Sequence, residues 1–242
     1  MSEHSFSPAW RAQPLGRRNF LRVSAASAAT VALVATTGCS TTTPEPILVD
    51  PYKLALPAGD PGLFYYAYVL ALALYTTYDK VITSPPSDLT MAERSVISNM
   101  RDHQLIYREL LHYYIDPTLQ VMLFPTDFAF NTSTLTLTTR AGVLAAVQQL
   151  ADLAAAAYPV LLPLISPASA YQRALLLKTV SVQARHAATI RDLRTPGSFA
   201  DSTVVDTATG LLRLETPTQV ITELAPYFAP YVISVANLAV TL

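Results

Sequence analysis

From Leu63 to Tyr78 the chain carries no charged residue at all: Leu-Phe-Tyr-Tyr-Ala-Tyr-Val-Leu-Ala-Leu-Ala-Leu-Tyr-Thr-Thr-Tyr. At about 16 residues this run is short for a bilayer span, and a helix so apolar needs other helices around most of its circumference. That single stretch demands a bundle. Composition agrees, since hydrophobic residues make up 51% and charged residues only 14% of the chain, the balance of long buried helices. Eighteen prolines against seven glycines, the prolines mostly at apparent segment ends, suit helices punctuated by proline. The 242 residues suffice for one sizeable core, and a net charge of -1 gives no electrostatic basis for a nucleic-acid partner.

Local signals mark the other helices. Asp60-Pro61 opens the first, with Asp60 as its expected cap and Pro61 in its first turn, and Ser84-Pro85-Pro86 closes it. Thr90-x-x-Glu93 reads as a capping box for a second helix that runs to about Tyr114 and stops at Asp116-Pro117. Leu119 to Thr138 is a long irregular connection, the length of a crossover rather than a hairpin. An alanine-rich third helix runs from about Thr139 to Tyr158, with Pro159 and Pro163 to kink or end it. Ser166-Pro167 caps a fourth that reaches about Leu193. Thr216-Pro217 starts a short helix that Pro226 and Pro230 break, and Val232 to Leu242 reads equally as a last helix or a strand.

The first 43 residues read as an address. Gly16-Arg17-Arg18-Asn19-Phe20-Leu21-Arg22 resembles a twin-arginine export signal, and the uncharged run from Val23 to Thr37 has the length of its apolar region. Thr36-Thr37-Gly38-Cys39-Ser40 resembles a bacterial lipobox, with Thr36 where leucine is usual. The resemblance implies lipid attachment at Cys39 and a lipoprotein on the periplasmic face of a bacterial membrane. If Cys39 instead marks a plain cleavage region, the protein is periplasmic or secreted. Cys39 is the only cysteine, so neither an intrachain disulfide nor a cysteine-based metal site is available. The expected organisation is residues 1–43 as signal and start of tether, 44–59 as linker, 60–195 as a four-helix bundle and 196–242 as an extension packed on it.

Within the fourth helix, Gln183 and His186 stand three residues apart and share one face. Val182-Gln183-Ala184-Arg185-His186-Ala187-Ala188 resembles the Val-Glu-x-x-His-Ala-Ala pattern of the ferritin-like domain of exported bacterial proteins. Leu150-Ala151-Asp152-Leu153-Ala154-Ala155-Ala156-Ala157-Tyr158 is similar to the family's Leu-Glu-Asp-x-Gly-Val-x-Ala-Tyr, and Arg101-Asp102-His103-Gln104-Leu105-Ile106-Tyr107 to its Arg-Asp-His-Glu-x-x-His. The resemblance implies an all-α ferritin-like four-helix bundle with a long crossover between its second and third helices and a short C-terminal helical extension.

A two-iron site in that fold takes four carboxylates and two histidines from facing helices. Here Gln104 and Gln183 stand at two of the glutamate positions, Tyr107 at a histidine position and Ala151 at a third glutamate position; the first helix carries no glutamate, and His186 alone is retained. Neutral amides and a phenol do not balance the charge of buried divalent ions. They read as a repaired core, in which Gln104 and Gln183 hydrogen-bond to Tyr107 or His186. Asp152 lies one residue past its ligand position and His103 one before, which turns each about 100° away from the shared face.

No Ser-His-Asp arrangement, phosphate-cradling glycine loop or zinc-type Cys/His spacing is present. The leading expectation is a non-catalytic lipoprotein, structural or binding, held to the membrane through Cys39 and without a cofactor. The alternative is a metal-binding oxidoreductase with iron or manganese in a rearranged site of His103, Asp152 and His186. A third reading places a small molecule in the apolar space between the helices.

Overall fold

The computed structural model describes residues 50–118 and 123–238, so Arg17, Arg18 and Cys39 lie outside the described residues. In chain order the elements are β1 (Lys53–Ala55), α1 (Asp60–Thr83), α2 (Met91–Ile115), α3 (Arg140–Leu161), a 3-10 turn (Pro167–Ser169), α4 (Ala170–Arg194), α5 (Pro217–Phe228) and β2 (Val232–Ser234). The architecture is all-α apart from the two short strands. Helices α1 and α2 form one packed pair and α3 and α4 the other, with α1 lying on α3.

The charge-free run forms most of α1, where residues from Leu63 to Tyr78 bury aromatic, leucine and alanine side chains on several sides of the helix. Its entry is tight. A Cβ added to Gly62 would lie 1.8 Å from the Pro57 carbonyl oxygen, so only glycine fits there. Asp60 is not the cap. It sits in the first turn, behind Gly59, and accepts from the Ser166 N–H at 2.9 Å, which fastens the start of α1 to the turn before α4.

The Thr90–Glu93 capping box forms as the spacing predicts, with Glu93 N–H on the Thr90 hydroxyl at 3.2 Å and Thr90 N–H on Glu93 Oε2 at 2.9 Å. The same carboxylate accepts from Arg140 Nε at 2.8 Å and so ties the start of α2 to the start of α3. Arg140, with the Thr90 groups, holds the Glu93 carboxyl below the usual glutamate range.

The crossover is anchored by rings: Phe124 lies against Phe128, and Phe128 against Phe228 of α5, at centroid distances of 4.3 and 4.8 Å. Asn131 N–H donates to the Tyr227 carbonyl at 2.8 Å. Helix α3 runs through Pro159 to Leu161, because a proline in the last turn forfeits one hydrogen bond without a longer helix to disrupt. Pro226 likewise sits inside α5.

Between the two readings left open for the C-terminal segment, Val232–Ser234 is a strand. It pairs in parallel with Lys53–Ala55, in register Lys53 with Val232, Leu54 with Ile233 and Ala55 with Ser234. Residues 44–59, expected to be linker throughout, therefore contain β1. No local pattern announces it, since the partner that completes the ladder comes from the other end of the chain.

Candidate functional site

The ligand-position face lies between α2 and α4, and its centre is a pair of amides. Gln104 and Gln183 are both fully buried. Gln104 Nε2 donates to Gln183 Oε1 at 3.0 Å, and Gln183 Nε2 donates to Gln104 Oε1 at 3.2 Å. The expected bonds to Tyr107 or His186 are replaced by this reciprocal pair, in which each side chain offers one donor and one acceptor. That geometry needs two amides: two carboxylates in the same places would present only acceptors to each other.

His186 is 6% exposed, and its Nε2 lies 3.0 Å from His103 Nδ1. The ring planes differ by 2° and the centroids are 5.2 Å apart. That separation exceeds the N···N distance by about two ring radii, so the imidazoles meet edge to edge in one plane, as a hydrogen bond requires. This corrects the expectation that His103 points away from the shared face. An angle on a helical wheel locates a Cβ, and the imidazole extends from it far enough to cross to α4. His186 Nδ1 is buried without a partner among the described residues. A proton on His186 Nε2, donated to His103 Nδ1, leaves a lone pair at that buried atom rather than an unpaired N–H. Burial first, then the adjacent His103 and Arg185, lower the His186 pKa to about 4, so the ring is neutral at pH 7.

Tyr107 is half-buried with the Thr179 hydroxyl as its partner, and burial raises its pKa. The cavity beside it, lined by Phe64, Leu111, Tyr158 and Leu176 among others, has a volume of about 20 Å³. That holds roughly one water. The apolar space of the third reading is largely filled, by Tyr158 in particular, whose buried hydroxyl donates to the Ala67 carbonyl at 3.0 Å. Ala151 packs with Ala155 and Ala187 where α3 meets α4, so the third glutamate position is a methyl group in a close helix contact.

Asp152 is held elsewhere. Its two oxygens accept from Arg191 Nε and Nη2, both at 2.7 Å, and Arg191 also donates to Asp201 Oδ2 at 3.0 Å. Arg191 is 4% exposed and bridges α3 to the segment after α4. Sequence reasoning assigned it no role. The available signal was an acid inside an alanine-rich helix, which needs a basic partner once buried. Of the rearranged trio, His103 and His186 come together and Asp152 is engaged by Arg191. Among the described residues, no group of three His, Cys, Asp or Glu side chains converges as a metal ion would need.

The donor set does not fit a di-metal centre: two amides saturate each other, the third glutamate position is an alanine, and the retained imidazole is spent on another imidazole. What the helices define is a ferritin-type bundle whose facing side chains are neutral. The family model for the ferritin-like domain matches residues 59–196, and the chain belongs to that family. No curated protein and no solved structure matches it.

Proposed function

We propose that this chain is an exported lipoprotein whose ferritin-like body serves a structural or binding role without metal catalysis. The observation that carries the reading is the reciprocal Gln104–Gln183 amide pair. It occupies two carboxylate positions with a self-satisfying unit that attracts no cation and leaves no open coordination position. The signal-like segment around Arg17 and Arg18 and the lipobox-like Cys39 supply the export route and the membrane anchor in this reading.

Elemental analysis of the purified, folded chain tests the metal half: the expected content is well below one iron or manganese per chain, and stoichiometric metal overturns the proposal. Fractionation tests the anchor, with Cys39→Ser moving the protein from the membrane to the soluble periplasmic fraction. One observation favours the alternative oxidoreductase, the meeting of His103 and His186. Loss of bound metal on His186→Ala, without loss of the folded state, is the result that would establish it.

A further inference from the structure

The outer face of α4 joins unpaired positive charge to exposed apolar side chains. From Ala170 to Arg191 the helix carries no aspartate or glutamate. Arg173, Lys178 and Arg185 are exposed, and no carboxylate lies in ion-pair range of them among the described residues. At about 100° per residue, Ala174, Leu177 and Ala184 fall within about 80° of one another, with Arg173 on one flank and Lys178 and Arg185 on the other. Leu177 is 57% exposed and Tyr171, beyond Lys178, is 69% exposed.

Helix stability does not call for this charge. Arg173 ends the first turn, where the macrodipole disfavours a cation, and that turn has no acid to offset it. Neighbouring α2 has exposed acids, but Asp102 is held by Arg101 and Glu109 by Arg108, so neither is left over for a second copy of the face. Two α4 faces laid together would bring like charges into contact. The partner that fits is anionic, and it is broad, since Arg173 and Arg185 lie about 18 Å apart along the helix axis. A single small anion does not span that distance, whereas a charged surface does.

The described chain enters the body at the end of the bundle where α4 begins. Asp60 accepts from the Ser166 N–H at 2.9 Å and from the Ser169 hydroxyl at 2.5 Å, in the turn that leads into α4. Asp50 follows Cys39 by eleven residues, at most about 40 Å of chain, and the 25 residues of α4 are themselves about 37 Å long. A lipid at Cys39 therefore holds this helix near the bilayer.

We propose that the α4 face lies on an anionic phospholipid bilayer, with Arg173, Lys178 and Arg185 on headgroup phosphates and Leu177 and Tyr171 in the membrane interface. The inference rests on the lipoprotein reading, which supplies the bilayer. Long basic side chains flanking an apolar strip suit such a surface, because their stems lie along it while their charged heads reach the phosphates. The face orients the body and the lipid retains it: a tethered chain needs only modest affinity, since the tether raises its local concentration.

The test uses the full chain with Cys39→Ser, which has no lipid site, and one new cysteine carrying a polarity-sensitive fluorophore. The label sits on the face through Ala174→Cys, or through Lys80→Cys on α1, the helix diagonal to α4 in the bundle. Phosphatidylglycerol vesicles at low salt are expected to shift the emission at position 174 to the blue and leave position 80 unchanged, while phosphatidylcholine vesicles shift neither. Arg173→Gln/Lys178→Gln/Arg185→Gln is expected to weaken the vesicle titration at least about tenfold, and about 0.5 M NaCl to reverse the shift. Should the triple variant fail to fold, Arg173→Gln alone and the salt series decide. No shift at position 174, equal shifts at both positions, or undiminished binding in the variants would overturn the proposal. So would a shift at position 174 that grows with protein concentration in the absence of vesicles, the mark of a second copy on the face. The chain tested carries no lipid, so its failure leaves lipidation of Cys39 to be decided by fractionation.

Discussion

Gln104→Leu and Gln183→Leu, alone and together, test whether the two amides hold each other. In the native pair each amide makes two hydrogen bonds, at 3.0 and 3.2 Å, in a fully buried site. Either single substitution strands one N–H and one C=O, at about 1–3 kcal/mol for each stranded group. The introduced leucine recovers part of that, about 1.5–3 kcal/mol for a fully buried aliphatic side chain. The net loss per single variant is therefore about 1–3 kcal/mol, or about 2–4 °C of melting temperature per kcal/mol for a body of this size. The double variant strands nothing. It is expected to lie within about 1 kcal/mol of the native chain, less destabilised than either single, because replacing both partners by apolar groups of similar shape is nearly neutral. Urea unfolding of all four proteins closes the cycle, with an expected coupling of about 2–6 kcal/mol, the two single losses together when the double loses next to nothing. Simple additivity of the two single losses would refute the reasoning, since it would mean that neither amide depends on the other.

The His186 ring predicts a second dependence, on pH. Its pKa of about 4 in the folded chain lies below the 6.5 of a free imidazole, so as pH falls from 6.5 to 4 the unfolded chain takes up a proton that the native chain refuses. Stability therefore falls through that window, by at most about 3 kcal/mol, and His186→Gln is expected to flatten the curve in denaturant titrations at stepped pH. Asp152→Ala leaves the buried Arg191 with only Asp201 and is expected to cost about 3–5 kcal/mol in urea unfolding, with Arg191→Met/Asp152→Leu recovering much of it. Gly62→Ala drives a methyl group into the Pro57 carbonyl and is expected to lower the melting temperature clearly. In contrast, Gly210→Ala, with open space around its Cβ but a φ of 70°, is expected to cost only about 1 kcal/mol, read from the same melting curves.

How far each feature was legible follows from how far apart its parts lie in the chain. Thr90 and Glu93 are three residues apart, and the capping box that joins them was visible because helix geometry alone brings them together. The charge-free α1 and the alanine-rich α3 were visible for the same reason: their patterns are local, and burial is the one environment that suits them. Asp60 obeyed a different rule from the one applied to it, since the donor it satisfies sits before α4 rather than at its own helix end. The site was half legible. Gln104, Tyr107, Ala151 and Gln183 announced neutral ligand positions, but the amides' choice of each other depends on how α2 and α4 face one another. His103 was misplaced for that reason too. The Arg191 bridge joins residues from three separate segments, and no spacing in the sequence encodes such a meeting.

The short parallel ladder between β1 and β2 carries a consequence for the order in which the body is completed. Its two strands come from opposite ends of the folded region, so the chain between them is nearly the whole domain, and the closure is among the least local contacts that the molecule makes. Such contacts form late, because the ordering of the intervening chain must come first. During synthesis β1 emerges before any of the helices and has nothing to pair with until Val232–Ser234 follows. A chain truncated after α5 would hold its four long helices yet leave β1 as an open edge. The ladder thus acts as a latch on the helical body: β1 becomes fixed only once the chain has been made through Val232–Ser234, after the last of the described helices.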